Sequence, residues 1–123
     1  MRSRRPTDNP LTLLEISRWT LAPQHGLDEL LGAGRIDTDA VRQLNSLALL
    51  VEVLTSGQPP SALDPATVRL LTGKIATGEA VDEDDVIGAQ QWLEHCVALL
   101  RRTKRGDYQA ALNRLIGIAE AEQ

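Results

Sequence analysis

The segment DTDAVRQLNSLALLVEVLTSG, residues 37–57, repeats apolar side chains at spacings of three and four residues. This spacing places them on one face of an α-helix, which we predict from about Thr38 to Ser56. Asp37 precedes the helix as an N-cap residue, and Gly57 follows where a left-handed residue commonly ends a helix. We expect this long apolar helix to lie at the centre of the fold.

The composition of the whole chain favours an all-α fold. Hydrophobic residues make up 42% of the 123 residues, Phe is absent and Tyr occurs once. Leu and Ala dominate the apolar set, so good helix formers outnumber aromatic and β-branched residues. The length fits one domain with a single core. We predict a compact bundle of about five helices in a single domain, residues 9–123, preceded by a mobile basic arm, residues 1–8.

Proline, glycine and aspartate mark the other predicted helices. The first is expected to begin after Asn9, with Pro10 in its first turn, and to end before Pro23. One or two separate turns are expected over residues 26–34.

The remaining three helices are predicted over residues 64–78, 82–104 and 108–120. Together with the helix at 38–56, the last two should form the centre of the bundle. GRIDTDAV and GEAVDEDDV each place a glycine, an apolar residue and an aspartate before a long helix. Shared helix-start chemistry explains this similarity without an internal repeat.

The formal net charge of −4 conceals two basic clusters that together hold seven of the 13 basic residues. These candidate nucleic-acid contacts are Arg2, Arg4 and Arg5 in the arm, and Arg101, Arg102, Lys104 and Arg105 near the end of a helix. The arm is either a solubilising tail or a segment that follows a nucleic-acid backbone. The second cluster also suits the negative end of a helix on local grounds, and its side chains point around most of the helix circumference.

The segment GEAVDEDDV, residues 78–86, contains four consecutive acidic residues: Asp82, Glu83, Asp84 and Asp85. Asp82 as N-cap and Asp85 three positions later approximate a capping box, and carboxylates favour the first turn of a helix. Four adjacent carboxylates exceed what a cap requires and repel one another. Two interpretations remain open: a solvated helix start, or an acidic patch that mimics nucleic-acid phosphate and occupies a basic groove on another protein.

Trp92 follows the acidic run by about two helical turns. Core packing is the simplest expectation for it. A partly exposed Trp92 would instead anchor the same partner-binding surface, since tryptophan is enriched at interface hot spots.

Catalytic, cofactor and metal motifs are not apparent in the sequence. The acidic run lacks the alternating oxygen ligands and central glycine of a calcium loop, and no glycine-rich phosphate loop is present. Glu94, His95 and Cys96 occupy successive helix positions and therefore point in different directions. His25 is distant from them in sequence, and Cys96 is expected in the core. We therefore expect a non-enzyme that binds no cofactor or metal.

The single cysteine rules out an internal disulfide and fits a reducing cytosol. No apolar run approaches the roughly 18 residues that would span a bilayer. No apolar segment of a secretory signal follows the basic start. A cytoplasmic protein without a membrane partner is expected.

Three segments carry a resemblance to a known group. TDNPLTLLE, VRQLNSLALLVEVL and LLRRTKRGDYQAAL occur in this order, and they resemble small helical proteins of proteobacterial prophages, plasmids and genomic islands. The likeness covers most of residues 7–116. Members of that group generally lack an assigned activity, although some are labelled Fis-type transcription regulators. The resemblance implies an origin on a mobile element, but the chain ends in IAEAEQ rather than in a basic recognition helix.

Three functional hypotheses follow. The first is a non-catalytic, phage- or mobile-element-encoded protein that binds a host protein and modulates or inhibits it, for example an anti-CRISPR protein or another inhibitor of bacterial defence. The second is a DNA-binding transcriptional regulator, expected to be dimeric. The third is a structural or assembly protein that oligomerises through an exposed apolar helix face.

Overall fold

The computed structural model describes the backbone of residues 8–121 and the side chains of residues 8–118. Its helices are α1 (Leu13–Ala33), α2 (Thr38–Leu54), α3 (Ala66–Thr77), α4 (Glu83–Arg102) and α5 (Arg105–Ala121). A 3-10 turn, Ser61–Leu63, precedes α3. The predicted all-α bundle of five helices is confirmed. Residues 1–7 of the predicted mobile arm lie outside the described residues.

The start of α1 differs from the prediction because a stronger cap lies further along the chain. The Glu15 N–H donates to the Thr12 hydroxyl at 3.1 Å, and the Thr12 N–H donates to the Glu15 carboxylate at 3.0 Å. This reciprocal capping box satisfies two donors that a helix N-terminus otherwise leaves unpaired. Asn9 is therefore not the N-cap, and Pro10 instead pairs with Lys104 in an isolated bridge.

The predicted end of this helix before Pro23 is also wrong, because α1 continues through the proline and absorbs the turns expected over 26–34. A proline inside a helix removes one N–H donor and costs about 3 kcal/mol. Pro23 is buried on the same face as Ile16, Thr20 and Leu27. Packing of that face against α2 and α4 outweighs the local penalty.

The predicted boundaries of α2 and α3 are largely confirmed, although the N-cap of α3 is Pro65 rather than the predicted Asp64. The Asp39 N–H donates to the Asp37 carboxylate at 3.1 Å, and the Ala66 N–H donates to the Asp64 carboxylate at 2.9 Å. Gly78 ends α3 with a left-handed φ of 72°. The predicted left-handed glycine after α2 is also present, with φ 76° at residue 57.

The core forms around α1, α2 and α4. α1 packs along both α2 and α4, while α3 packs against α4 and α2. The buried apolar residues of α2 are Ala40, Leu44, Leu47, Ala48, Leu50 and Val51. The prediction that α5 belongs to the centre is wrong, since the buried side chains among its described residues are Tyr108 and Ala111 and its main contact is with α2.

The first turn of α5 is fastened to the N-terminal half of α1, which explains why α5 begins at Arg105 rather than at Tyr108. The Arg105 guanidinium donates to both carboxylate oxygens of Glu15, at 2.6 and 2.7 Å. The Trp19 indole N–H donates to the Tyr108 hydroxyl at 2.7 Å. Hydrogen bonds from Arg105 and Thr12 lower the pKa of Glu15 to about 2.

Candidate functional site

A groove of about 670 Å³ opens at the end of the bundle where α1 and α3 end and α4 begins. Its volume falls within the roughly 300–1,000 Å³ of ordinary ligand pockets. The apolar residues that line it are Leu30, Leu31, Ile36, Ile75, Val81 and Val86. Arg35, Glu79 and Glu83 add charge at its edge. The groove therefore combines apolar side chains with charged side chains and backbone polar groups, and protein-binding sites are mixed in the same way.

Two left-handed glycines shape the groove. Gly34 ends α1 with φ 73° and Gly78 ends α3 with φ 72°, conformations that side-chain-bearing residues rarely adopt. Each glycine turns the chain into a short segment that leads to the next helix. These two segments carry Ile36 and Val81, and both side chains line the groove.

The electrostatic environment of the groove is predominantly negative. Two helices, α1 and α3, end at it, while α4 begins at it and α2 begins two residues after Ile36. The partial charges of about −0.5 and +0.5 at these helix ends largely offset one another, so the charged side chains set the sign. Glu79 and Glu83 line the same edge, and Asp82 and Asp84 lie beside Glu83 in sequence. We call Glu79, Asp82, Glu83 and Asp84 the acidic rim. Arg35 offsets only part of this negative charge.

The four consecutive acids divide into two groups with different roles. Asp82 is the N-cap of α4, and the Asp82 N–H donates to the Asp85 carboxylate at 3.3 Å. The Lys74 ammonium also donates to Asp85, at 2.8 Å, which lowers the pKa of Asp85 and raises that of Lys74. Asp82 and Asp85 therefore both stabilise the start of α4, as the helix-start interpretation predicts.

Glu83 and Asp84 are exposed and make no side-chain hydrogen bond or ion pair with the other described residues. Their contribution to α4 is limited to a favourable position in its first turn. They are the surplus charge that the sequence indicates, and they remain available to a partner. Asp85, which was included in the predicted patch, is instead half-buried and engaged by Lys74.

Trp92 does not belong to this surface, so its prediction as an interface anchor is wrong. Only 2% of its surface is exposed. α1 and α3 both pack against α4, so α4 buries a broader face than one stripe of its sequence suggests. The indole N–H of Trp92 is buried and has no hydrogen-bond partner among the described residues.

The predicted nucleic-acid contacts are separated from the groove by the length of α4. Its 20 residues span about 30 Å, with the acidic rim at the start and Arg101, Arg102 and Lys104 exposed at the other end. Arg105 is held by Glu15 and is not a free contact. Arg2, Arg4 and Arg5 lie outside the described residues.

No group of three or more His, Cys, Asp or Glu side chains among the described residues is arranged to hold a metal ion. His25 and His95 are both exposed, whereas Cys96 is fully buried. Burial raises the pKa of the Cys96 thiol, because the interior disfavours the thiolate. The adjacent Glu94, His95 and Cys96 are therefore not brought together as a site.

Cys96 provides a direct test of this core. The native protein is expected to react with a thiol reagent such as Ellman's reagent at least about 100-fold more slowly than the urea-unfolded chain, because labelling requires opening of the core. The measurement is absorbance against time with and without urea. Equal rates in the two conditions would place the thiol at the surface.

In the described part of the chain, none of the helices combines the length and the apolar character needed to cross a bilayer.

The residues of the groove floor were missed by sequence reasoning because they come from three separate regions of the chain. One feature of the sequence pointed to these residues, namely the similarity between GRIDTDAV and GEAVDEDDV. Their apolar residues Ile36 and Val81 both line the groove. No family model, curated protein or solved structure matches this chain.

Proposed function

We propose that the chain is a non-catalytic protein that binds a host protein through the groove and its acidic rim, and so modulates or inhibits that protein. The observation that supports this best is the position of Glu83, an exposed charge without an ion pair to a described residue, at the edge of a groove that apolar side chains line. Asp84, next to it in sequence, is likewise exposed and unpaired among the described residues. The resemblance to proteins of prophages and plasmids favours an origin on a mobile element. An inhibitor of bacterial defence, such as an anti-CRISPR protein, is one form that this function would take.

The two parts of the site would contribute differently to the affinity and to the association rate of such a complex. Burial of the apolar floor would supply affinity in proportion to the area removed from water. The charges of the acidic rim would accelerate association with a basic surface and select against acidic ones. A surface that combines both features needs no chemical reaction to alter the activity of its partner.

A nucleic-acid-binding regulator is the second candidate. It is favoured by the exposed Arg101, Arg102 and Lys104 at the far end of α4. The pairing of Arg105 with Glu15 removes one of the four expected contacts from this cluster. This candidate predicts a shift of DNA that weakens steeply as salt increases.

The test is capture of partners from the natural host after nuclease treatment, with charge-reversed variants. Glu83→Lys with Asp84→Lys reverses the two free charges in the first turn of α4, while Asp82 and Asp85 stay unchanged because they cap and anchor α4. We expect the affinity for the captured protein to fall on the order of tenfold or more.

The matched control is Glu29→Lys with Glu94→Lys. Both residues are exposed, make no ion pair with another described residue and lie outside the groove lining. Each pair of reversals brings the formal net charge from −4 to zero. The control should retain binding. If the two double variants lose binding equally, or neither loses it, the rim is not the binding surface.

A further inference from the structure

We infer that the groove receives a basic protein segment, which inserts an aliphatic side chain between α1 and α3 and sets arginine or lysine against Glu79 and Glu83. This inference rests on the proposed function and specifies the partner of the same site. Two properties of the groove support it: apolar side chains that pack against the core, and the net negative charge of the acidic rim.

The floor is a continuation of the hydrophobic core. Leu30, Ile36, Ile75 and Val81 are half-buried and pack against the core, and Val86 is 2% exposed. Leu31, at 43% exposed, stands at the edge of the groove. Side chains held in this way form a firm apolar surface that does not need to reorganise on binding. An aliphatic side chain that enters the groove would cover Leu31 and exchange water for core contacts.

The negative charge of the groove edge comes from the side chains of the rim, which outnumber Arg35. The C-termini of α1 and α3 and the N-termini of α2 and α4 all lie near the groove, and their opposite partial charges largely offset one another. Glu79 and Glu83 lie at the same edge without a side-chain hydrogen bond or ion pair to another described residue. Lys74, a neighbouring cation, is already committed to Asp85 at 2.8 Å. Arg35 lines the same groove, but one cation does not balance the four acids of the rim, so a further cationic side chain would complement this edge.

Arginine fits this edge better than other side chains. Its planar guanidinium can donate to a carboxylate and to helix-end carbonyls at once, and it is more weakly hydrated than the lysine ammonium. Phosphate-bearing ligands carry the wrong sign, because the carboxylates of the rim repel anions. The groove therefore selects a basic protein segment over nucleic acid.

The test uses a phage-displayed library of random 12-residue peptides, selected against the full chain and then synthesised for titration calorimetry. The selected peptides are expected to contain arginine or lysine on both sides of a leucine, isoleucine or other large apolar residue. Glu79→Lys with Glu83→Lys should weaken binding at least about tenfold, and binding of the wild type should weaken as salt rises.

A second variant examines the apolar contact. Leu31→Ala should weaken binding on the order of tenfold, because it removes the exposed edge of the groove. Leu70→Ala is its matched control, since Leu70 is an exposed helical leucine, at 57%, that does not line the groove. It should bind as the wild type does. Circular dichroism of each variant confirms that the fold is retained.

The outcomes separate this inference from the proposed function. Peptides without basic enrichment whose binding depends on Leu31 would overturn the basic occupant and leave the groove as a protein-binding site. Peptides that bind equally well to the Leu31→Ala and rim-reversed variants would overturn both parts of the inference. Failure to select any peptide would also overturn it, while the host-capture experiment with Glu83 and Asp84 would still decide the proposed function.

Discussion

Replacement of Gly26 by alanine is expected to destabilise the fold by about 1–3 kcal/mol, although alanine is the better helix former. A Cβ atom at Gly26 would lie 2.5 Å from the Cβ of Ala40 and 3.0 Å from two atoms of Ile36. The Cβ of Ala40 is fixed to its backbone, so α1 and α2 would have to move apart. Since Ile36 lines the groove, this change should also reduce partner binding.

Gly32→Ala is the matched control, because Gly32 lies on the same helix and an added Cβ would meet nothing within 4 Å. It should be neutral or stabilising by up to about 1 kcal/mol. Adding Ala40→Gly to the Gly26→Ala variant removes the clashing atom and should restore part of the loss. Urea unfolding, monitored by circular dichroism, measures the unfolding free energy of each of the three variants. If the two glycine replacements have equal effects, α1 and α2 are not in the close contact described.

Replacement of Glu15 by glutamine is expected to destabilise the protein by about 1–2 kcal/mol at neutral pH. The change removes the charge that accepts two hydrogen bonds from Arg105 and weakens the capping box with Thr12. Both interactions hold the start of α1, and the first also fastens α5. We expect α5 to exchange its amide hydrogens faster in this variant, because its remaining buried contacts are few.

The contribution of Glu15 should depend on pH in a defined direction. Its pKa falls from an ordinary value of 4.5 to about 2 in the folded protein. A carboxylate with a lowered folded pKa stabilises the fold above its unfolded pKa and loses that contribution as pH falls towards the folded value. The difference in unfolding free energy between wild type and Glu15→Gln should therefore be constant above about pH 5.5 and shrink between pH 4.5 and 2.

Denaturant unfolding of both proteins between pH 7 and 2.5 measures this difference. Glu29→Gln serves as the control, because Glu29 is exposed and makes no ion pair with a described residue. The unfolding free energy of Glu29→Gln should differ little from that of the wild type at every pH. A Glu15 effect that is the same at pH 7 and pH 2.5 would show that the carboxylate charge is not what holds α5.

Local patterns predicted most of the helices because each helix start and end depends on neighbouring residues. Asp37, Asp64 and Asp82 all precede helices as expected, and the left-handed Gly78 ends α3. The prediction for α1 was wrong because Pro23 lowers only the local helix propensity. Its cost is outweighed by contacts with α2 and α4, which are distant in sequence.

The candidate site could be predicted only in its charged part. The surplus of acids in residues 82–85 is visible in the sequence. That Asp85 is paired with Lys74, and so is not available to a partner, depends on how α3 packs against α4. The burial of Trp92 likewise depends on helices that approach from two sides. The apolar floor is assembled from residues 30–36, 75–81 and 86, and local spacing does not reveal such an assembly.

We propose above that the chain acts through the groove and its acidic rim. Hydrogen–deuterium exchange of the full chain, alone and in complex with the host protein that it captures, tests this most directly. We expect new protection in the segments that form the groove, residues 34–37 and 78–82, with residues 101–105 unchanged. Protection confined to the basic end at 101–105, with the groove segments unchanged, would contradict it.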